Sequence, residues 1–185
     1  MNINWVLATA VNLAPNVDMK KIKGIGSLWG SWRTWQAYQT DNVICHNGVK
    51  AKDLIDKKVP TVCNFYVPNN LYVVLDEPTG VLTYGGEFSH EVEEQDEIVA
   101  MHLAAMSSDI VLLLGFDWTQ KNTPKDPQKR LLRHNYVNLV QQALIGNSKT
   151  QWVLVDSPGP IMPELANLKN LTHDTLDNVF GMLIN

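Results

Sequence analysis

Short apolar runs alternate along the chain with stretches that are apolar on one side only. Six runs predict strands, at residues 4–9, 42–46, 61–67, 71–75, 109–114 and 151–155. Several, such as Ile110-Val111-Leu112-Leu113-Leu114, stay apolar at successive positions instead of alternating. That pattern belongs to strands covered on both faces, as in a parallel sheet. Between them lie helical spacings. Residues 27–38 place Leu28, Trp32 and Trp35 near one face, and residues 49–57 form a short basic stretch. Residues 91–106 carry Val92, Val99, Leu103 and Met106 along one stripe, and residues 127–145 carry Leu131, Val137 and Leu144. Gly146 is placed to stop the latter. A last helix is expected from Thr172 or Asp174, both capping residue types, through Leu176, Val179, Phe180 and Leu183. Strands alternating with helices predict an α/β fold: a Rossmann-like three-layer sandwich with a mainly parallel sheet of about six strands. No repeat or linker-like segment breaks the chain, so residues 1–185 read as a single α/β domain.

Composition narrows the function classes. Of 185 residues 45 % are apolar, and only 18 % are charged against a usual value of about 25 %. A net charge of −4 argues against a surface built for nucleic acid or anionic lipid, both of which need a basic face. No apolar run approaches the roughly 20 residues of a membrane span. Ala8-Thr9-Ala10 looks like a signal-peptidase site, but no Lys or Arg precedes it and the apolar run is short. It reads as a first strand, and a cytoplasmic location is expected. Cys45 and Cys63 have no metal-ligand or redox spacing and read as small buried thiols.

Ligands of an open parallel sheet bind beyond the carboxyl ends of its strands. Those ends are expected at Thr9 to Asn12, His46-Asn47-Gly48, Tyr66 to Asn70, Asp76-Glu77, Gly115 to Trp118 and Asp156-Ser157. Asp76 and Asp117 each follow an apolar run and meet a turn. They are either carboxylates that contact a ribose hydroxyl, a metal or a general-acid partner, or turn caps. Gly24-Ile25-Gly26-Ser27-Leu28-Trp29-Gly30 has the look of a phosphate loop, yet a dinucleotide fingerprint would follow the first strand directly. Gly30 reads instead as room for a closely packed helix. The acidic run from His90 to Glu97 lacks a His-Glu-x-x-His pattern and reads as a solvated face at a helix amino end. Trp29, Trp32 and Trp35 read as core or subunit packing, with a ring platform for a base or sugar as the alternative. His134 is a candidate general base, the alternative being a surface histidine.

Three stretches also resemble a known family. Val43-Ile44-Cys45-His46-Asn47 precedes Val62-Cys63-Asn64-Phe65-Tyr66-Val67-Pro68. Gly85-Gly86 precedes a helix ending Met101-His102-Leu103-Ala104 and the run Leu112-Leu113-Leu114-Gly115-Phe116-Asp117. His134 precedes Trp152-Val153-Leu154-Val155. In this order the pieces resemble the Rossmann-type bacterial sialyltransferases and the related motility accessory factor glycosyltransferase-like proteins. The resemblance implies a nucleotide-activated sugar as substrate, with Asn47 on the nucleotide and Gly85 and Gly86 at the sugar-phosphate. His134 would take the acceptor's proton. It also places Thr9-Ala10-Val11-Asn12-Leu13 where the family carries Asn-Gly-Pro-Ser.

The expectation is therefore a nucleotide- or nucleotide-sugar-binding protein of glycosyltransferase type. His134 and Asp117 are its candidate catalytic residues, and Asn12, Asn47, Asp76, Gly85 and Gly86 its candidate ligand contacts. No metal site is assigned, no cofactor beyond the nucleotide-sugar substrate is called for, and self-association is left open. The alternative is a non-catalytic binding or assembly module acting through a tryptophan-rich surface.

Overall fold

A computed structural model describes residues 1–8, 17–85, 95–118 and 125–183. In chain order they form β1 (Ile3–Leu7), α1 (Met19–Ile25), β2 (Ser27–Ser31), α2 (Trp32–Tyr38), β3 (Asn42–Ile44) and α3 (Gly48–Asp56). After a 3₁₀ turn at Val59–Thr61 come β4 (Asn64–Pro68), α4 (Asn69–Val74), β5 (Val81–Tyr84) and α5 (Gln95–Met106). The chain continues through β6 (Ile110–Leu114), α6 (Pro127–Gly146), β7 (Gln151–Val155), α7 (Pro163–Ala166), β8 (Leu171–Asp174) and α8 (Leu176–Leu183).

All eight strands lie parallel in one sheet, in the order β5-β4-β3-β2-β1-β6-β7-β8. The α/β, Rossmann-like arrangement is as expected, with eight strands rather than six. Winding runs outward from β1 to β5, then returns to β6 on the other side of β1. Side chains alternate across the sheet, so successive apolar residues feed two cores. On one face Trp5, Leu7 and Leu28 pack with Ile22 of α1 and Val179 and Phe180 of α8. Further along that face Val43, Cys45, Phe65 and Val67 pack with Ala51 and Leu54 of α3. The opposite face joins Val6, Ile44, Val111, Leu113 and Trp152 to α5, α6 and Leu165 of α7.

The strand count differs for local reasons. Residues 27–38 are not one helix: Ser31 ends β2 and its hydroxyl caps α2 by accepting from Thr34 N–H at 3.4 Å. Residues 71–75 belong to α4 and the turn after it, because a short apolar run fits either period. The edge strands β5 and β8 are four residues each, Val-Leu-Thr-Tyr and Leu-Thr-His-Asp, too short to print an alternating pattern. The tryptophan bunch is split as well. Trp29 lies in the core under α5, whereas Trp32 and Trp35 pack partly buried on the opposite face. Trp5, Trp118 and Trp152 are at most 1 % exposed, so of the six tryptophans only Trp32 and Trp35 reach the surface in part.

The glycine run has a packing role rather than a phosphate-binding one. Gly24 lies in α1, and Gly26 ends that helix at the amino edge of β2, away from the strand exits. A Cβ on Gly26 would stand 2.0 Å from the carbonyl oxygen of Ile3, so only glycine lets β2 start beside β1. One on Gly30 would collide with Thr34 of α2, which confirms close helix packing at that position. Gly24 has nothing within 4 Å of such a Cβ. Denaturation of two single variants separates these roles. Gly26→Ala is expected to lose about 1–3 kcal/mol because backbone must move. Gly24→Ala is expected to gain about 0.5–1 kcal/mol through helix propensity.

Candidate functional site

Parallel strands send all their exits to one edge, and helices return the chain to the other. On the exit edge the structure places His46 and Asn47 after β3, Tyr66 and Pro68 at the end of β4, and Gly85 after β5. Gly115 to Trp118 follow β6, and Asp156 follows β7. Asn12 and Gly86 lie outside the described residues.

The predicted site residues do not share one cleft. Asp76 follows helix α4, not a strand, and leads into β5 from the opposite edge. With φ at +64° it forms the left-handed turn into that strand, its N–H donating to Val73 O. Asn47 is an exposed cap of α3 whose Oδ1 accepts from Lys50 N–H at 3.0 Å. Asp117 is exposed on the same edge as Asn47, but β2 and β1 stand between β3 and β6, a separation of roughly 14 Å. His134 is exposed within α6, on the other layer, with Nε2 3.2 Å from Asn138 Nδ2. Gly85 is exposed near Asn69.

Geometry concentrates the chemistry elsewhere, at the amino end of α5. Gln95, Asp96 and Glu97 are 2–3 % exposed, against the expectation of a solvated acidic face. The rest of the helix explains this. Ile98-Val99-Ala100-Met101 makes the first half of α5 apolar all round, so that half is buried and the first turn goes with it. The helix opens to solvent only toward its end, at His102, Leu103 and Met106. Residues 91–94 lie outside the described residues.

Asp96 Oδ1 accepts two hydrogen bonds from His46, from the backbone N–H at 3.0 Å and from ring Nδ1 at 2.6 Å. An ionised carboxylate only accepts, so Nδ1 carries the proton and Nε2 is the nitrogen left over. No described residue bonds Nε2, and the His46 side chain stays 23 % exposed. The hydrogen bond to Asp96 raises the His46 pKa above its usual value, with burial and Arg33 pulling the other way. Burial raises the Asp96 carboxyl, while His46 and Arg33 lower it. Tyr84 borders the pair, its phenol pushed up by burial, Asp96 and Cys45. Burial pushes the Cys45 thiol up to about 12 and that of Cys63 to about 11. Neither is a nucleophile near neutral pH.

Glu97 points a second carboxylate in another direction. Its Oε2 accepts from the Tyr136 hydroxyl of α6 at 3.2 Å, and that hydroxyl accepts from Trp118 Nε1 at 3.3 Å. Gln95 Oε1 has no partner among the described residues, which leaves one buried acceptor open beside the pair. No cluster of three metal-ligating side chains and no helix long and apolar enough to cross a membrane occurs among the described residues.

Compared with family models, curated proteins and solved structures, the chain matches none.

Both shifts of the pair have the same sign: the folded state holds its proton more tightly than the unfolded chain. The Asp96 contribution is therefore full only below the ordinary value of 3.8 and is lost as pH rises through the folded Asp96 pKa. That of His46 is full below the ordinary histidine value of 6.5 and is lost as pH rises through the folded His46 pKa. Urea denaturation between about pH 5.5 and 8.5 should record this fall. In Asp96→Asn the fall should vanish, and the His46 NMR titration should move down toward its ordinary value.

Proposed function

We propose that the protein binds a nucleotide or nucleotide sugar along the carboxyl edge of its sheet and acts as a glycosyltransferase-like enzyme. In this reading His46, rather than His134, takes the proton of the acceptor hydroxyl. The observation that carries it is the 2.6 Å contact between His46 Nδ1 and the buried Asp96 carboxylate. A histidine oriented through Nδ1 by a buried carboxylate presents Nε2 in its basic form, and the carboxylate stabilises the imidazolium produced. Position supports the same reading, because the pair stands at a strand exit, where open α/β sheets bind ligands.

The transfer balances in one displacement. The acceptor oxygen attacks the anomeric carbon as its proton passes to His46 Nε2. The bond from that carbon to the phosphate oxygen breaks, and the nucleotide leaves with the electron pair. Asn47, adjacent to His46 and exposed at the head of α3, is the nearest of the predicted ligand contacts to this centre. Asp117 and Gly85 border the same edge further away, and Asp76 has no place in it.

Titration with CMP-, UDP- and GDP-linked sugars, followed by assay of donor hydrolysis and transfer, tests the reading. His46→Gln should lower turnover by about 10²–10⁴-fold with nucleotide affinity within a few fold of the parent. Unchanged turnover removes His46 from the role, and a loss confined to His134→Ala returns it to α6.

A further inference from the structure

Next to His46 lies a group of side chains that the proton transfer leaves unused. Trp32 is the first residue of α2, and its indole is partly buried against the core under α3. Two cations rest on it. Arg33 Cζ stands 5.3 Å from its centre and Lys50 Nζ 5.2 Å. Both belong to first turns that begin at strand exits, Arg33 after β2 and Lys50 after β3, so both stand on the carboxyl edge. Both are exposed, and among the described residues neither has a carboxylate within 4 Å.

This gathering is unusual for the chain that makes it. Acidic residues outnumber basic ones by 19 to 15, yet two positive charges share one ring with no carboxylate within 4 Å of either among the described residues. The nearby carboxylate, Asp96, is buried and engaged by His46. Arg33 is close enough to act electrostatically on both members of that pair. Two like charges on one indole repel, and an anion between them removes that repulsion.

We propose that Arg33 and Lys50, gathered on the Trp32 indole beside His46, form the subsite that takes the phosphoryl group of the ligand. A phosphoryl group carrying up to two negative charges matches two cations, whereas a carboxylate matches one. The guanidinium supplies a planar fork for two oxygens, and the ammonium a compact charge for a third. The indole holds both long side chains near their working positions before the ligand arrives. The subsite deepens, and in its nucleotide form rests on, the reading of this edge as a nucleotide site. It places the leaving phosphate on the same sheet edge as the group that moves the proton.

Calorimetric titration with pyrophosphate, CMP and UDP, and with cytidine and uridine as phosphate-free controls, tests it on the full chain. The double variant Arg33→Ala/Lys50→Ala should keep the unliganded melting temperature, since both side chains are exposed. It should lose at least about tenfold in affinity for each phosphorylated probe and little for the nucleosides. The charge-conserving Arg33→Lys/Lys50→Arg exchange should restore most of the loss. Pyrophosphate binding that depends on both cations, without nucleotide binding, would uphold the subsite and overturn the nucleotide reading. Nucleotides bound equally by parent and double variant would overturn the subsite and leave His46 standing. Failure of every phosphorylated probe to bind the parent at millimolar concentration would also overturn it.

Discussion

The exit edge of this protein is fastened by the first turn of α5. Asp96 and Glu97 are neighbours in sequence, so about 100° of helix rotation separates them, and each reaches a different element. Asp96 holds His46 at the exit of β3, and Glu97 holds Tyr136 of α6 and through it Trp118 at the exit of β6. Because β1 lies between those halves of the sheet, one helix end ties together chain exits on both sides of the winding reversal. Both carboxylates are buried, but each accepts a hydrogen bond, and the positive end of the helix dipole favours negative charge there. Loss of His46 would leave the buried Asp96 carboxylate without the two hydrogen bonds it accepts, a class of defect that costs several kcal/mol.

The same arrangement sorts the titratable groups by chemical role. Burial pushes Cys45 and Tyr84 toward their neutral forms, with Asp96 adding to it, and makes them wall rather than reagent. His46 differs because it combines a buried partner with partial exposure. A strong orienting hydrogen bond on one nitrogen and access to the other is what proton transfer requires of an imidazole. Arg33 limits how far the carboxylate can hold the proton, acting on His46 and Asp96 in the same downward direction.

Much of the fold is legible in the residues. The uninterrupted apolar run at 110–114 announces a strand with two covered faces, and Asp126-Pro127 marks the start of a long helix at its first turn. Asp126 Oδ1 accepts from Gln128 and Lys129 N–H, as a cap of that type should. Short segments mislead, because period carries little information over four or five residues. Leu71 to Leu75 continues a helix because Asn69 and Asn70 already start one, and edge strands need only one covered side. The site is legible only in fragments. His46 and Asn47 stand at a strand exit as their sequence context suggests. The charge of the acidic run points to solvent, whereas the apolar helix it opens points inward, and burial of the helix prevails. Asp76 misses the exit edge because the apolar run before it is helical.

Local side-chain properties are enough to specify a parallel α/β sheet here, since the period of the strands and their covering on two faces are written residue by residue. Which exits come together depends on the packed fold. His46 and Asp96 are 50 positions apart and carry no spacing that links them. They meet because β3 and the returning helix α5 are packed across the same sheet. Strand order is a global property of the winding, and these carboxylates become buried only because the packed fold covers the half of the helix that carries them.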